Sequence, residues 1–458
     1  MFKKTFTLFP LLIVLYSGYS QAISRMIGND RLGKKDSVAN WTIHFQLTGI
    51  MQGHPAFNAA YSGTNSLQSG ADNGEFSVTS SIFLGRKLWK GAAIYATPEI
   101  AGGQGMSFTR GIAGFTNGEA YRIGDPYPAF YFARLYVQQN FALKNSDVDF
   151  QPSSIDQLGG KVPASRVTIT VGKISMADFF DDNTFSHDPR TQFLNWSLMS
   201  NGAWDYPANV RGYTPAVVLE LIKPKWAIRF STALMPKIAN SSMMDWQWYK
   251  SNSETVEYER RWKKKGLGTG VVRVLGYLSF TKAPTYQEAI NAMSKGDSSF
   301  VPIIQGLLES DINGGIKYGF GISAEQQLAD DIGMFARIGW NDGHTATWAF
   351  AEIDQTISVG ASMTGKRWKR PMDNIGLAIV ANGISKEHRE YLQDGGYGFM
   401  IGDGTLRYGN EAIIEAFYQC QLASFLWITP DYQFVINPAY NRDRGPVHVL
   451  GLRAHVEF

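Results

Sequence analysis

Residues 426–458 read LWITPDYQFVINPAYNRDRGPVHVLGLRAHVEF, and both halves of this stretch alternate with a period of two. Counted back from the end, Phe458, Val456, Ala454, Leu452 and Leu450 share one face, and Glu457, His455, Arg453 and Gly451 share the other. In the first half Ile428, Tyr432, Phe434 and Ile436 alternate with Asp431, Gln433 and Asn437. Successive side chains of a β-strand point to opposite faces, so each half predicts a strand with one apolar side. An apolar face that continues to an aromatic last residue, in segments of about ten residues, predicts the wall of a transmembrane β-barrel.

The same count extends over the chain. Strands are expected near 41–48, 75–85, 92–101, 129–141, 165–174, 213–223, 226–235, 254–263, 269–280, 315–326, 332–341, 355–364, 374–384, 411–423, 426–437 and 446–458, sixteen in all. A barrel wall should alternate short turns at one rim with long loops at the other. Short joins fall at 86–91, 223–225, 264–268, 327–331, 365–373 and 424–425, and long ones at 51–74, 102–128, 175–212, 236–253, 281–314 and 385–410. Short turns are then periplasmic and long loops extracellular. The connection 142–164 breaks the rule, being long on the short-turn side and carrying Asp147, Asp149 and Asp156. Thr285 followed by Glu288 is a capping box and predicts a helix with Tyr286, Ile290 and Met293 on one face. Trp41, Trp89, Tyr213, Trp226, Trp262, Trp340, Trp368 and Trp427 fall at strand ends, as expected of interfacial aromatic girdles.

The composition agrees. Lys3 and Lys4, the apolar run 6–16 and Ser20-Gln21-Ala22 read as a signal peptide (1–22), followed by a polar tail (23–40) and a barrel domain (41–458). The apolar run is too short to span a bilayer as a helix. Without the leader, 43 − 2 = 41 basic side chains stand against 40 acidic ones, so a nucleic-acid partner has no electrostatic support. With Cys420 as the one cysteine, no intramolecular disulfide forms. A closed barrel is the solution that satisfies each backbone group in lipid without a helix. The partners implied are outer-membrane lipid and, through the strand ending at Phe458, the outer-membrane assembly machinery; a monomer and a homotrimer both remain open.

Parity also assigns side chains to the lumen. Arg134 alternates with Leu135 and Val137, Arg166 with Val167, Arg229 with Ile228 and Phe230, and Arg273 with Val272 and Val274. Arg337 and Arg453 follow the same rule. An outward arginine at mid-membrane costs about 2–4 kcal/mol, which favours the inward assignment. These six arginines, with few strand acids to match, predict a positive constriction, their planar forks suited to vicinal hydroxyls or to carboxylates. Bracing the wall against loop carboxylates is the structural alternative. The loop 175–212 is the candidate constriction: Asp178 and Asp182 would bond hydroxyls, and Trp196 and Trp204 would stack on sugar rings, or anchor the loop. Asp181, Asp182 and His187 lack the spacing of a known metal site, and no cofactor is indicated. No HExxH, Walker or GxSxG pattern occurs, and His344 and His388 have no serine motif beside them, so an enzyme is not indicated.

Longer motifs point the same way: Val171-Gly172-Lys173 into Asp178-Phe179-Phe180-Asp181; residues 201–207 (NGAWDYP); Glu257-Tyr258-Glu259-Arg260-Arg261; residues 335–343 (FARIGWNDG); and Thr429 to Gln433 through Asn441 to Pro446. With these the chain resembles the OprB-type carbohydrate-selective porins of Gram-negative outer membranes. The resemblance implies a sixteen-stranded barrel passing small sugars by diffusion, with arginines at its narrowest point. A general or anion-favouring porin without a sugar site is the alternative.

Overall fold

The computed structural model describes residues 40–120 and 127–458; the expected signal peptide and nearly all of the polar tail lie outside the described residues. The wall is formed by β1 (Trp41–His54), β2 (Asp72–Lys87), β3 (Ala92–Gly103), β4 (Ala129–Ala142), β7 (Arg166–Ile174), β8 (Thr214–Lys223), β9 (Trp226–Leu234) and β10 (Asn252–Lys263). It continues through β11 (Thr269–Thr281), β12 (Gly315–Ala329), β13 (Ile332–Asn341), β14 (Gln355–Gly365), β15 (Arg370–Gly383), β16 (Glu411–Ala423), β17 (Leu426–Ile436) and β18 (Val447–Glu457). These sixteen strands pair antiparallel with their neighbours, and β1 closes on β18 with Leu47 opposite Val456. Closure leaves no edge strand, the condition for a sheet to cross lipid.

The alternation is visible residue by residue. On β14 Ile357 and Val359 are exposed on the outer face while Thr356 and Ser358 are buried; on β18 Leu450 and Leu452 face out while Arg453 and His455 face in. β4 needs a correction of parity: Phe130, Phe132, Leu135 and Val137 all face out. The register slips between Thr97 and Pro98 of β3, so Ala133 and Arg134 both point inward at a bulge. Trp41, Trp89 and Trp262 are exposed at the short-turn rim, as a girdle requires. Tyr213 is not part of that girdle. It is buried in the lumen, 5.5 Å from the Arg134 guanidinium.

The irregular connection at 142–164 holds β5 (Val148–Gln151) and β6 (Gly160–Pro163), a hairpin paired only with itself. It bends inward from the short-turn rim. Ser153 Oγ meets Thr42 Oγ1 at 2.5 Å and His44 Nε2 at 2.9 Å, and Leu158 packs on the buried aromatic cluster that includes Tyr95 and Tyr136. β4 and β7 pair directly beneath it.

The long loops turn inward as well and build a core inside the barrel. Short helix α1 (Trp196–Met199) lies in the loop between β7 and β8, while α2 (Tyr286–Met293), α3 (Phe300–Ile304) and α4 (Lys386–Gln393) lie in the other long loops. Both halves of the expected capping box hold α2: Thr285 N–H donates to Glu288 Oε2 at 2.8 Å, and Glu288 N–H donates to Thr285 Oγ1 at 3.2 Å.

Candidate functional site

The lumenal charges form a belt across neighbouring strands. Register sets Glu220 of β8 opposite Arg229 of β9, Arg229 opposite Glu257 of β10, and Glu259 opposite Arg273 of β11. Arg229 reaches Glu220 at 3.2 Å and both Glu257 and Glu259 at 3.0 Å; Arg273 reaches Glu259 at 2.9 Å and Glu325 of β12 at 3.5 Å. The expectation of few strand acids is therefore corrected. These glutamates share the inward parity of the arginines, and the motif at 257–261 already contained two of them. Cross-strand neighbours lie close enough for opposite charges to pair directly, so both belt arginines are compensated and the belt is not positive.

The other inward arginines hold loops. Arg134 forms two parallel hydrogen bonds to Asp178, each 2.6 Å, and meets Asp156 of the inner hairpin at 3.4 Å. Arg337 is fully buried, donating to Asp181 Oδ1 at 3.0 Å and to the carbonyls of Leu198 and Ser186 at 2.8 and 2.5 Å. Arg453 donates to the carbonyls of Pro189 and Gln192, both at 2.7 Å. Arg166 donates to Pro163 O at 3.0 Å, at the foot of the hairpin. Asp182 is exposed, beyond the partnered Asp181.

Wall carboxylates do the converse and accept from loop N–H groups. Glu415 takes Leu194 and Asn195 at 2.5 and 2.9 Å, Glu411 takes Ala113 and Gly114 at 2.9 and 2.7 Å, and Glu257 takes Asp181 at 2.8 Å. Within the loops, Asp205 accepts from four successive N–H groups, Trp348 to Ala351, at 2.7–3.3 Å. Buried backbone groups must be paired, and these carboxylates pair them where no strand can. Glycines complete the seating. A Cβ on Gly339 would lie 1.9 Å from Asn201 Oδ1, and one on Gly321 would lie 2.0 Å from Asn201 Nδ2, so the two glycines form a socket for that side chain.

Two candidate residues change role. Trp196 stacks between Phe115 and Phe350, and Trp204 packs against Phe180 and Tyr206; 3% and 1% of their surfaces stay open. They anchor the loops and offer no free ring face, because an indole buries a large apolar area more favourably inside this loop core than against water. Sequence reasoning also passed over Arg190, in the same loop, which binds Glu99 at 3.3 Å and Glu119. Burial opposes the charge on both partners here. Even so, Arg190 and the hydrogen bonds from Thr191 and from its own N–H hold Asp188 below the usual carboxylate range, and the acids around Arg190 raise it well above its own.

A relay of Tyr286, His388 and Asp354 joins three loops: the hydroxyl lies 3.2 Å from Nε2, and Nδ1 lies 3.0 Å from Oδ2. All three groups are buried. Although burial would raise it, the Asp354 carboxyl is held down to about 2 by His388, Lys317 and the Ser385 N–H. The arrangement ties loops together and presents no nucleophile.

A closed barrel with an apolar outer band, aromatic rims and inward loops pinned over a charged lumen defines the class of outer-membrane porins. The chain belongs to the carbohydrate-selective porin, OprB family, whose model matches residues 68–458. Among solved structures it resembles the high-pH form of OprB from Pseudomonas putida, with a TM-score of 0.67 at 16% identity over 92% of this chain and 94% of that one. A curated relative, porin AaxA of Chlamydia pneumoniae, is 20% identical over 297 residues, 65% of this chain. The match spans 56% of that relative's length. The protein is a porin of the Gram-negative outer membrane.

Proposed function

We propose that the channel passes small neutral sugars by passive, carbohydrate-selective diffusion. The observation that carries this reading is charge balance: the lumenal arginines at 134, 229, 273 and 337 each sit against at least one carboxylate. Arginines paired in this way give a free anion little net attraction, yet they and their partners present dense donors and acceptors. A polyhydroxylated solute can exchange hydrogen bonds with both kinds of group, entering readily and leaving readily. Four of the six inward arginines are thus compensated, which weakens the anion-favouring alternative.

Liposome swelling with the purified protein tests the proposal, using glucose, a disaccharide and an amino acid matched to glucose in size. Sugars should enter faster than the amino acid, and Arg134→Ala, which frees Asp178 and Asp156, should weaken the preference. Rates ordered by size alone would make the protein a general porin.

A further inference from the structure

The short-turn rim holds its cations in two different ways. On the turn between β14 and β15, Arg367 meets Asp331 and Arg370 meets Asp373, each at 2.5 Å. The turns between β8 and β9 and between β10 and β11 offer no such partners: residues 221–228 (LIKPKWAI) and 260–269 (RRWKKKGLGT) contain no acid. These two turns touch, the Arg261 N–H donating to Lys225 O at 2.9 Å. Arg261 binds Glu259, a lumenal acid that also holds Arg229 and Arg273. Lys225, Arg260, Lys263, Lys264 and Lys265 are left without an ion pair among the described residues, and all are exposed. Arg260 shows which way this charge faces. It shares the outer face of β10 with Tyr258 and Trp262, which are exposed, and stands opposite Trp226 of β9 and Val272 of β11. Trp262 extends over Gly270, where a Cβ would lie 2.4 Å from the indole. An arginine between tryptophans of the girdle lies against the membrane at headgroup depth, its stem on apolar surface and its charge in need of an anion.

We propose that this sector of the rim docks an anionic phospholipid of the periplasmic leaflet. The phosphate seats at Arg260 between Trp226 and Trp262, and the lysines of the two turns add positive charge beside it. The acyl chains lie along Ile228, Tyr258 and Val274, which register places in one exposed row on the next step toward mid-membrane. A zwitterionic headgroup brings an ammonium of its own to these unpaired cations, so a lipid of net negative charge is the better match. A periplasmic polymer could reach the turn lysines, but not a guanidinium flanked by rings that face the membrane; this favours lipid as the occupant.

Native mass spectrometry of the purified barrel tests this, with phosphatidylglycerol and phosphatidylethanolamine of identical acyl chains supplied in equal amounts. Each cation near an anionic headgroup is worth about fivefold in binding, so the wild type should retain phosphatidylglycerol about tenfold or more over phosphatidylethanolamine. Arg260→Gln should lower that ratio about fivefold, and Lys263→Gln with Lys264→Gln should lower it as well. Arg367→Gln, on the turn whose cations are already paired, should leave it unchanged. All these side chains are exposed, so the variants should melt as the wild type does. Equal retention of the two lipids by the wild type, or the same ratio in Arg260→Gln as in Arg367→Gln, would overturn the proposal. So would sedimentation of the protein with purified cell-wall sacculi that the lysine substitutions abolish while the lipid ratio stays fixed, which would assign the patch to the cell wall.

Discussion

The two faces of the same strands are built on different rules. Outside, Ile357, Val359, Leu450 and Leu452 stand alone, with no particular partner required. Inside, each large charge is assigned: Glu257 binds Arg229 and the Asp181 N–H, and Arg337 binds Asp181 and two carbonyls of the same loop. The outer face is chosen by a solvent and tolerates any apolar residue. The inner face is chosen by partners, so removing one group leaves another buried and unpaired.

The contrast is sharpest at Glu257, which has no exposed surface. Its replacement by Ala should cost about 3–5 kcal/mol, the range for breaking a buried ion pair from one side. Heat-unfolding midpoints would show the loss, and Glu257→Gln, which keeps an acceptor for the Asp181 N–H, should recover part of it. If the Gln variant were no better than the Ala variant, the pairing rule for the lumen would fail. On the outer face Ile357→Arg should cost about 2–4 kcal/mol by the same measurement, whereas Ile357→Leu should be silent.

The inner hairpin adds a pH dependence. Burial, helped by Asp178 and Glu99 and opposed by Arg134 and Arg190, raises the Asp156 carboxyl from 3.8 to about 6. A carboxyl raised on docking takes up a proton as the hairpin docks. That contribution is therefore full below about pH 4 and is lost as pH rises through about 6. Protease cleavage within 148–163, normalised to an unstructured substrate at each pH, should be slower at pH 4.5 than at pH 7.5, and Asp156→Asn should remove the difference.

Smaller effects test the seating of loops. Gly339→Val forces Asn201 from its socket and should cost about 1–3 kcal/mol, with faster proteolysis of the loop between β7 and β8 while the barrel stays intact. Thr285→Ala removes one half of a capping box on a partly exposed helix and should cost about 1 kcal/mol, seen as a small shift in the unfolding midpoint.

Strand positions were legible because the period-two pattern is local, and the sixteen expected strands all appear in the wall. The same parity placed Arg134 and the other arginines inward, and would have placed Glu220, Glu257, Glu259 and Glu325 beside them had it been applied to acids. The bulge at Ala133 was hidden, since it depends on the neighbouring strand. The burial of Trp196 and Trp204 was hidden too, because a tryptophan in a loop reads alike whether it meets a ligand or another ring.

By itself the sequence determined the barrel, its lipid face and the sides on which turns and loops fall. Lipid imposes one requirement on every outward residue independently, so the pattern can be read one residue at a time. The tertiary structure alone decided which carboxylate meets which guanidinium, that the irregular hairpin turns into the pore, and that most of the inward arginines are paired. Those outcomes depend on distances between groups far apart in the chain, and a buried charge takes its character from the partner it finds.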